Sequence, residues 1–231
     1  YLCQKEVAMV TGELEAAKEM LHEARRLLDE LATLEPANRR WSAAGLGARL
    51  EEAVFARRNG DLSQASSMIA VVRPQLERLV AGEPSSRVFA RWLTKARLLE
   101  ARLWAGNDPV RADGAANQAV AATEVLFGSG RAISSDVGEG AQACVVAGDL
   151  AARAGDLSLA RQRWLRADEL VRPRLDGSCD WQLLDPAART AAALGRIEDA
   201  RLIVEKLRKL GYVPLDPWPR TIAPGAEGTV P

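Results

Sequence analysis

The sequence predicts an all-α fold built from repeated helical hairpins, and three observations lead there. The pattern Gly-x-(Leu/Ile)-x-x-Ala occurs four times, as Gly12-Glu13-Leu14-Glu15-Ala16-Ala17, Gly60-Asp61-Leu62-Ser63-Gln64-Ala65, Gly155-Asp156-Leu157-Ser158-Leu159-Ala160 and Gly195-Arg196-Ile197-Glu198-Asp199-Ala200. Each copy lies between two runs whose apolar residues recur at helical spacing, so each reads as a tight turn. Glycine supplies a positive φ after one helix, and alanine lets the next helix approach closely. The turn glycines lie 48, 95 and 40 residues apart, and 95 is nearly twice 48. A fifth, degenerate copy is therefore expected near the midpoint, where Trp104-Ala105-Gly106-Asn107-Asp108-Pro109 stands. Such a period marks units that cannot bury their apolar faces alone and must stack.

In chain order, residues 1–11 read as the stub of a first helix that begins without Met or an N-cap, as in a fragment of a longer protein. Its partner spans about 13–33, with Leu14, Ala17, Met20, Leu21, Ala24, Leu27, Leu28 and Leu31 on one face. Pro36 opens the second hairpin, with helices at about 38–59 and 62–81, and Pro74 predicts a kink or break in the latter. Gly82-Glu83-Pro84-Ser85-Ser86 stops the chain and restarts it, with Ser as N-cap of a helix over about 87–105. The partner helix is expected over about 110–127, and Gly128-Ser129-Gly130 ends it. Ser134-Ser135-Asp136 reads as the cap of a fourth hairpin over about 135–172, and Pro173 and Gly177 separate it from a fifth over about 181–210. The repeat domain therefore covers 1–212. Residues 213–231 form a Pro/Gly-rich tail, disordered from about 220, whose stretch Tyr212 to Trp218 alternatively folds back over the last apolar face.

The residues around the Gly155 turn resemble a known family. With Gly155 aligned, Gly148, Ala160, Trp164 and Ala167 fall where tetratricopeptide repeats place small, small, bulky apolar and small residues, and Pro173 lies one residue from the family's proline. The match covers 144–173 best, and 49–77 and 188–214 less closely. The period exceeds the family's 34 residues, and most of its Trp-x-x-Leu-Gly-x-x-Tyr half is absent. The resemblance implies a tetratricopeptide-like solenoid of about five antiparallel hairpins, right-handed, with first helices lining a concave groove. Leu34-Glu35-Pro36-Ala37-Asn38-Arg39-Arg40-Trp41 is similar to the inter-repeat segment of the C-terminal repeat regions of bacterial membrane-anchored serine/threonine kinases.

Composition narrows the chemistry. With 31 basic and 31 acidic residues the formal net charge is zero, so no global field draws the chain to nucleic acid or to an anionic membrane. No apolar run is long enough for a transmembrane helix. His22 is the sole histidine, so no histidine-based triad or multi-histidine metal site can form. Gly128-Ser129-Gly130 lacks the Lys and preceding strand of a phosphate loop, and Glu51 and Glu52 point apart on a helix. Neither enzymatic activity nor a cofactor or metal is expected. Most of the six tryptophans are expected in the core.

Two features invite a functional reading. Arg87, Arg91 and Lys95 recur every four residues on the third hairpin's first helix, and Arg57 and Arg58 end the second hairpin's first helix. In the groove that the resemblance implies, Arg57, Arg58, Arg91 and Lys95 would form a strip for a carboxylate or an acidic peptide; outside it they are a solvated helix face. Cys144 and Cys179 are either incidental thiols or, if neighbouring first helices stack side by side, a disulfide that would place the domain in an oxidising compartment such as the periplasm. The resulting expectation is a non-catalytic interaction or sensory module for a protein or peptide partner, by resemblance the sensor region of a transmembrane serine/threonine kinase. The alternatives are a regulatory domain of a cytoplasmic transcriptional activator and an oligomerisation scaffold.

Overall fold

Among the described residues, 8–127 and 132–223 of the computed structural model, every regular element is a helix. The chain divides into two compact units, Tyr1–Gly130 and Arg131–Pro231. The first unit holds α1 (residues 8–11), α2 (Leu14–Leu34), α3 (Arg39–Arg58), α4 (Leu62–Gly82), α5 (Arg87–Trp104) and α6 (Pro109–Phe127). The second holds α7 (Ser134–Arg153), α8 (Leu157–Val171), α9 (Trp181–Ala193) and α10 (Ile197–Lys209), with a 3-10 turn at Arg172–Arg174 after α8. The sequence reading marks the boundary near Gly130 only as a break between hairpins.

The turns repeat atom for atom. At the end of α3 the Gly60 amide donates to Arg57 O at 3.1 Å and the Asp61 amide to Ala56 O at 2.9 Å, the Schellman closure that a left-handed glycine permits. The same pair of bonds recurs at Gly155, Gly195 and Gly211. Gly12, Gly60, Gly155 and Gly195 have φ of 86°, 83°, 87° and 81°. Asp61 and Asp156 then cap the following helices, accepting from the Gln64 and Leu159 amides at 2.9 Å. The motif alanines Ala17, Ala65, Ala160 and Ala200 are all fully buried.

The degenerate third turn keeps this register without the glycine. Asn107 stands where the other copies have Gly, 47 residues after Gly60 and 48 before Gly155. It is not left-handed; instead the Asp108 amide returns to Trp104 O at 2.8 Å, and the Asp108 carboxylate caps α6 from the Arg111 amide at 3.0 Å. Pro109 begins α6, where its missing N–H costs nothing. Ala112, at the motif's alanine position, is fully buried.

Within each unit consecutive helices pack in antiparallel pairs, and the first helix of one hairpin also touches the first helix of the next: α3 with α5, and α7 with α9. The register of that contact is nearly constant. Gly47 packs against the Trp92 indole, where a Cβ would lie 2.6 Å from Cε2, and Glu51 meets Lys95. In the second unit Gly138 faces Gln182 O, and Gln142 donates to Asp185 at 2.9 Å. Partners are thus 43 to 45 residues apart in both units. Gly138 is needed because Pro186 has no N–H to give the Gln182 carbonyl, so that oxygen turns to α7 where only a glycine leaves room.

Several expectations are corrected. α4 runs unbroken through Pro74, because Ile69, Val72 and Leu76 on either side of it are all buried in one core with Leu46, Leu50, Leu93 and Leu99. Ser86 is the N-cap of α5 by backbone, yet its side chain makes no capping bond. Ser134 is already helical; Asp136, three residues on from the Ile133 cap, accepts from the Ile133 amide at 3.1 Å. The tail is packed to Ala223, since Ile222 and Ala223 are buried, and Trp218 and Ile222 lie in a cluster with Ala188, Ala191, Ala200 and Val204. The expected disorder beyond that point falls outside the described residues. All six tryptophans are half-buried; Trp92 packs against the core of the second and third hairpins and Trp218 against that of the last.

Candidate interaction face

The basic residues singled out in the sequence lie in the first unit, and the structure engages them. Lys95 pairs with the buried Glu51 at 3.3 Å and sits 5.5 Å from the centre of the Trp92 ring. Arg58 donates to the backbone carbonyl of Met9, holding the end of α3 to α1. Arg57, Arg87 and Arg91 are half-buried, each engaged in at least one polar or ring interaction. The Arg87, Arg91 and Lys95 row runs along α5 at four-residue steps, and Lys95 reaches α3. Its last member already has a carboxylate partner.

The acidic residues nearest this strip divide in whether they neutralise it. Glu51 does so, whereas Glu52 on the next position turns to Arg25 of α2 at 3.1 Å. Glu100 belongs to a separate network that sequence reasoning missed. It is buried, and takes Arg73 of α4 at 3.2 Å and Arg111 of α6 at 3.0 Å. Glu77 joins the same group, bonding Arg73 at 2.6 Å and Arg97 at 2.8 Å. Burial pushes the Arg97 pKa down, and the Glu77 carboxylate pulls it back up in part. Arg111 lies over the Trp104 ring, 4.0 Å from its centre. One sequence signal was available: counted from the turn, Glu100 occupies the position where Ala53, Gly148 and Ala188 stand in other hairpins.

The kinase-like phrase at 34–41 has a local explanation. Glu35 accepts from Asn38 Nδ2 at 2.8 Å and Trp41 Nε1 at 2.9 Å, and these bonds hold its carboxyl below the usual range. Asn38 caps α3 through the Arg40 amide, and Arg39 donates to the carbonyls of Leu79 and Gly82 at the end of α4. Those residues join and cap hairpins.

No family model matches the chain, and neither a curated protein nor a solved structure matches it. The reading of function therefore rests on geometry.

Cys144 is buried on α7 and Cys179 is exposed two residues before α9. The contacts of Gly138 with Gln182 and Gln142 with Asp185 set Cys144 level with about residue 187 of α9 and leave Cys179 beyond that helix's start. At 1.5 Å per residue the two are about 12 Å apart along the helix axis, too far for a bridge. The expectation that side-by-side first helices would bring them together fails on this offset. Among the described residues no three His, Cys, Asp or Glu side chains gather as a metal site, and no helix is long and apolar enough to cross a membrane. A shallow depression along α8, lined by Gln162, Leu165, Arg166 and Glu169, is formed by one helix alone and assembles no chemistry.

Proposed function

We propose that the chain is a non-catalytic interaction module of tetratricopeptide-like hairpins, which binds an acidic peptide or protein segment on the face shared by α3 and α5. The observation that carries this reading is the contact of α3 with α5 at Lys95 and Glu51, with Arg87 and Arg91 preceding Lys95 on α5 at four-residue steps. A bound carboxylate would compete with Glu51 for Lys95 and gain bidentate partners in Arg87 and Arg91. Such exchange favours selective, reversible binding over high affinity, because each incoming charge replaces a partner already present. The sensory role in a membrane-anchored kinase that the resemblance at 34–41 implies gains no further support, since those residues are accounted for by capping.

The test is an unbiased peptide-display selection on the purified chain, followed by hydrogen exchange of the chain with the strongest peptide bound. The expected result is enrichment of Asp and Glu in the selected peptides, with protection confined to α3 and α5. Apolar or basic selected peptides, or protection on another face, would overturn it.

A further inference from the structure

The last hairpin ends differently from the second, and comparison of the two locates a stop device. Counted from the turn glycine, Leu46, Leu50 and Ala53 of α3 correspond to Trp181, Asp185 and Ala188 of α9, and Ile69 of α4 corresponds to Val204 of α10. In the second hairpin these positions are covered by the next hairpin's first helix, through Leu93, Ala96 and Leu99 of α5. In the last hairpin they are covered by residues 212–223 instead. Tyr212 stacks on Trp181 at 5.6 Å, Trp218 packs near Ala188 and Val204, and Ile222 is 2% exposed in the same cluster.

The residue that differs most in character is Asp185, which stands where Leu50 does. It is 4% exposed and accepts from Trp218 Nε1 at 2.8 Å, Arg189 Nε at 2.9 Å and Gln142 Nε2 at 2.9 Å. Arg189 then reaches the carbonyls of Asp216 and Pro217, and Arg201 holds the carbonyl of Thr221 at 3.1 Å. Burial works against the Arg189 charge, but the Asp185 carboxylate, joined by Asp216 and Tyr212, more than offsets this and holds its pKa above the ordinary value. A helix bearing only Leu and Ala at this seat would bury Asp185 without the Trp218 donor, and Arg189 without its two carbonyls.

We propose that residues 212–223 are a strap filling the place of a following hairpin's first helix, and that Asp185 is the residue selecting strap over helix. The seat is thereby closed to a further hairpin, whether from this chain or a second copy.

The test replaces residues 213–223 of the full chain with a linker and a copy of residues 87–104, and measures hydrogen exchange in α9 and α10. Two versions are compared, one keeping Asp185 and Arg189 and one carrying Asp185→Leu with Arg189→Val, since Val54 stands at the equivalent position of α3. The expected result is wild-type-like protection in the version with Asp185→Leu and exchange at least about tenfold faster with Asp185 kept. Equal protection in both would show that Asp185 does not select, and protection in neither would show that the seats are not equivalent. Either result overturns the proposal. A control in the native chain, Trp218→Ala with Ile222→Asp, is expected to speed exchange in α9 and α10 by a similar factor; unchanged exchange there would also overturn it.

Discussion

Alanine at the sixth position of each turn motif sets how closely two helices lie, and each of these alanines is fully buried. Ala65→Leu and Ala160→Leu should each cost about 1–3 kcal/mol by overpacking, read from urea unfolding. Gly60→Ala should cost about 1–2 kcal/mol for forcing a side chain into the left-handed region at φ 83°, although nothing crowds its Cβ. Thiol labelling of the native protein should modify Cys179 rapidly and Cys144 only on unfolding; equal rates would contradict the burial of Cys144. At this scale the turn glycines and alanines were legible, because each works within six residues of sequence. The partners of Glu100 were not, because choosing them requires an inter-hairpin register that no local pattern contains. The proposed bridge failed for the same reason, by an offset along the stacked helices.

Helices were legible to within a few residues because their apolar periodicity and Gly or Pro punctuation agree. What misled was local grammar overruled by packing: Pro74 breaks a solvent-exposed helix, yet here both sides of it are anchored in the core. The tail misled in the opposite direction, since prolines that forbid a helix do not forbid a strap. Between elements, Glu100→Ala should cost about 1–3 kcal/mol, because Arg73 and Arg111 lose a buried partner. Glu23→Ala, which breaks only an exposed pair with Arg26, should leave stability unchanged in the same urea experiment. The link between α2 and α3 also carries a pH signature. Glu35 has a lower pKa folded than its ordinary 4.5, so its bonds to Asn38 and Trp41 stabilise fully above that value. That contribution is lost as the pH falls through the lower folded pKa, and Glu35→Gln should remove this part of the acid dependence.

Among the described residues each hairpin of a unit packs against the next along the chain, and the proposed acidic-peptide site lies on one such contact, between α3 and α5. The measurement that tests this most directly is fluorescence anisotropy of a labelled Glu-rich peptide titrated with the parent chain and with Arg87→Glu/Arg91→Glu, at low and high salt. The account predicts saturable binding by the parent that weakens with salt, and a loss of at least about tenfold in the variant with its helical content unchanged. Absence of binding by the parent, or equal binding by both proteins, would contradict it.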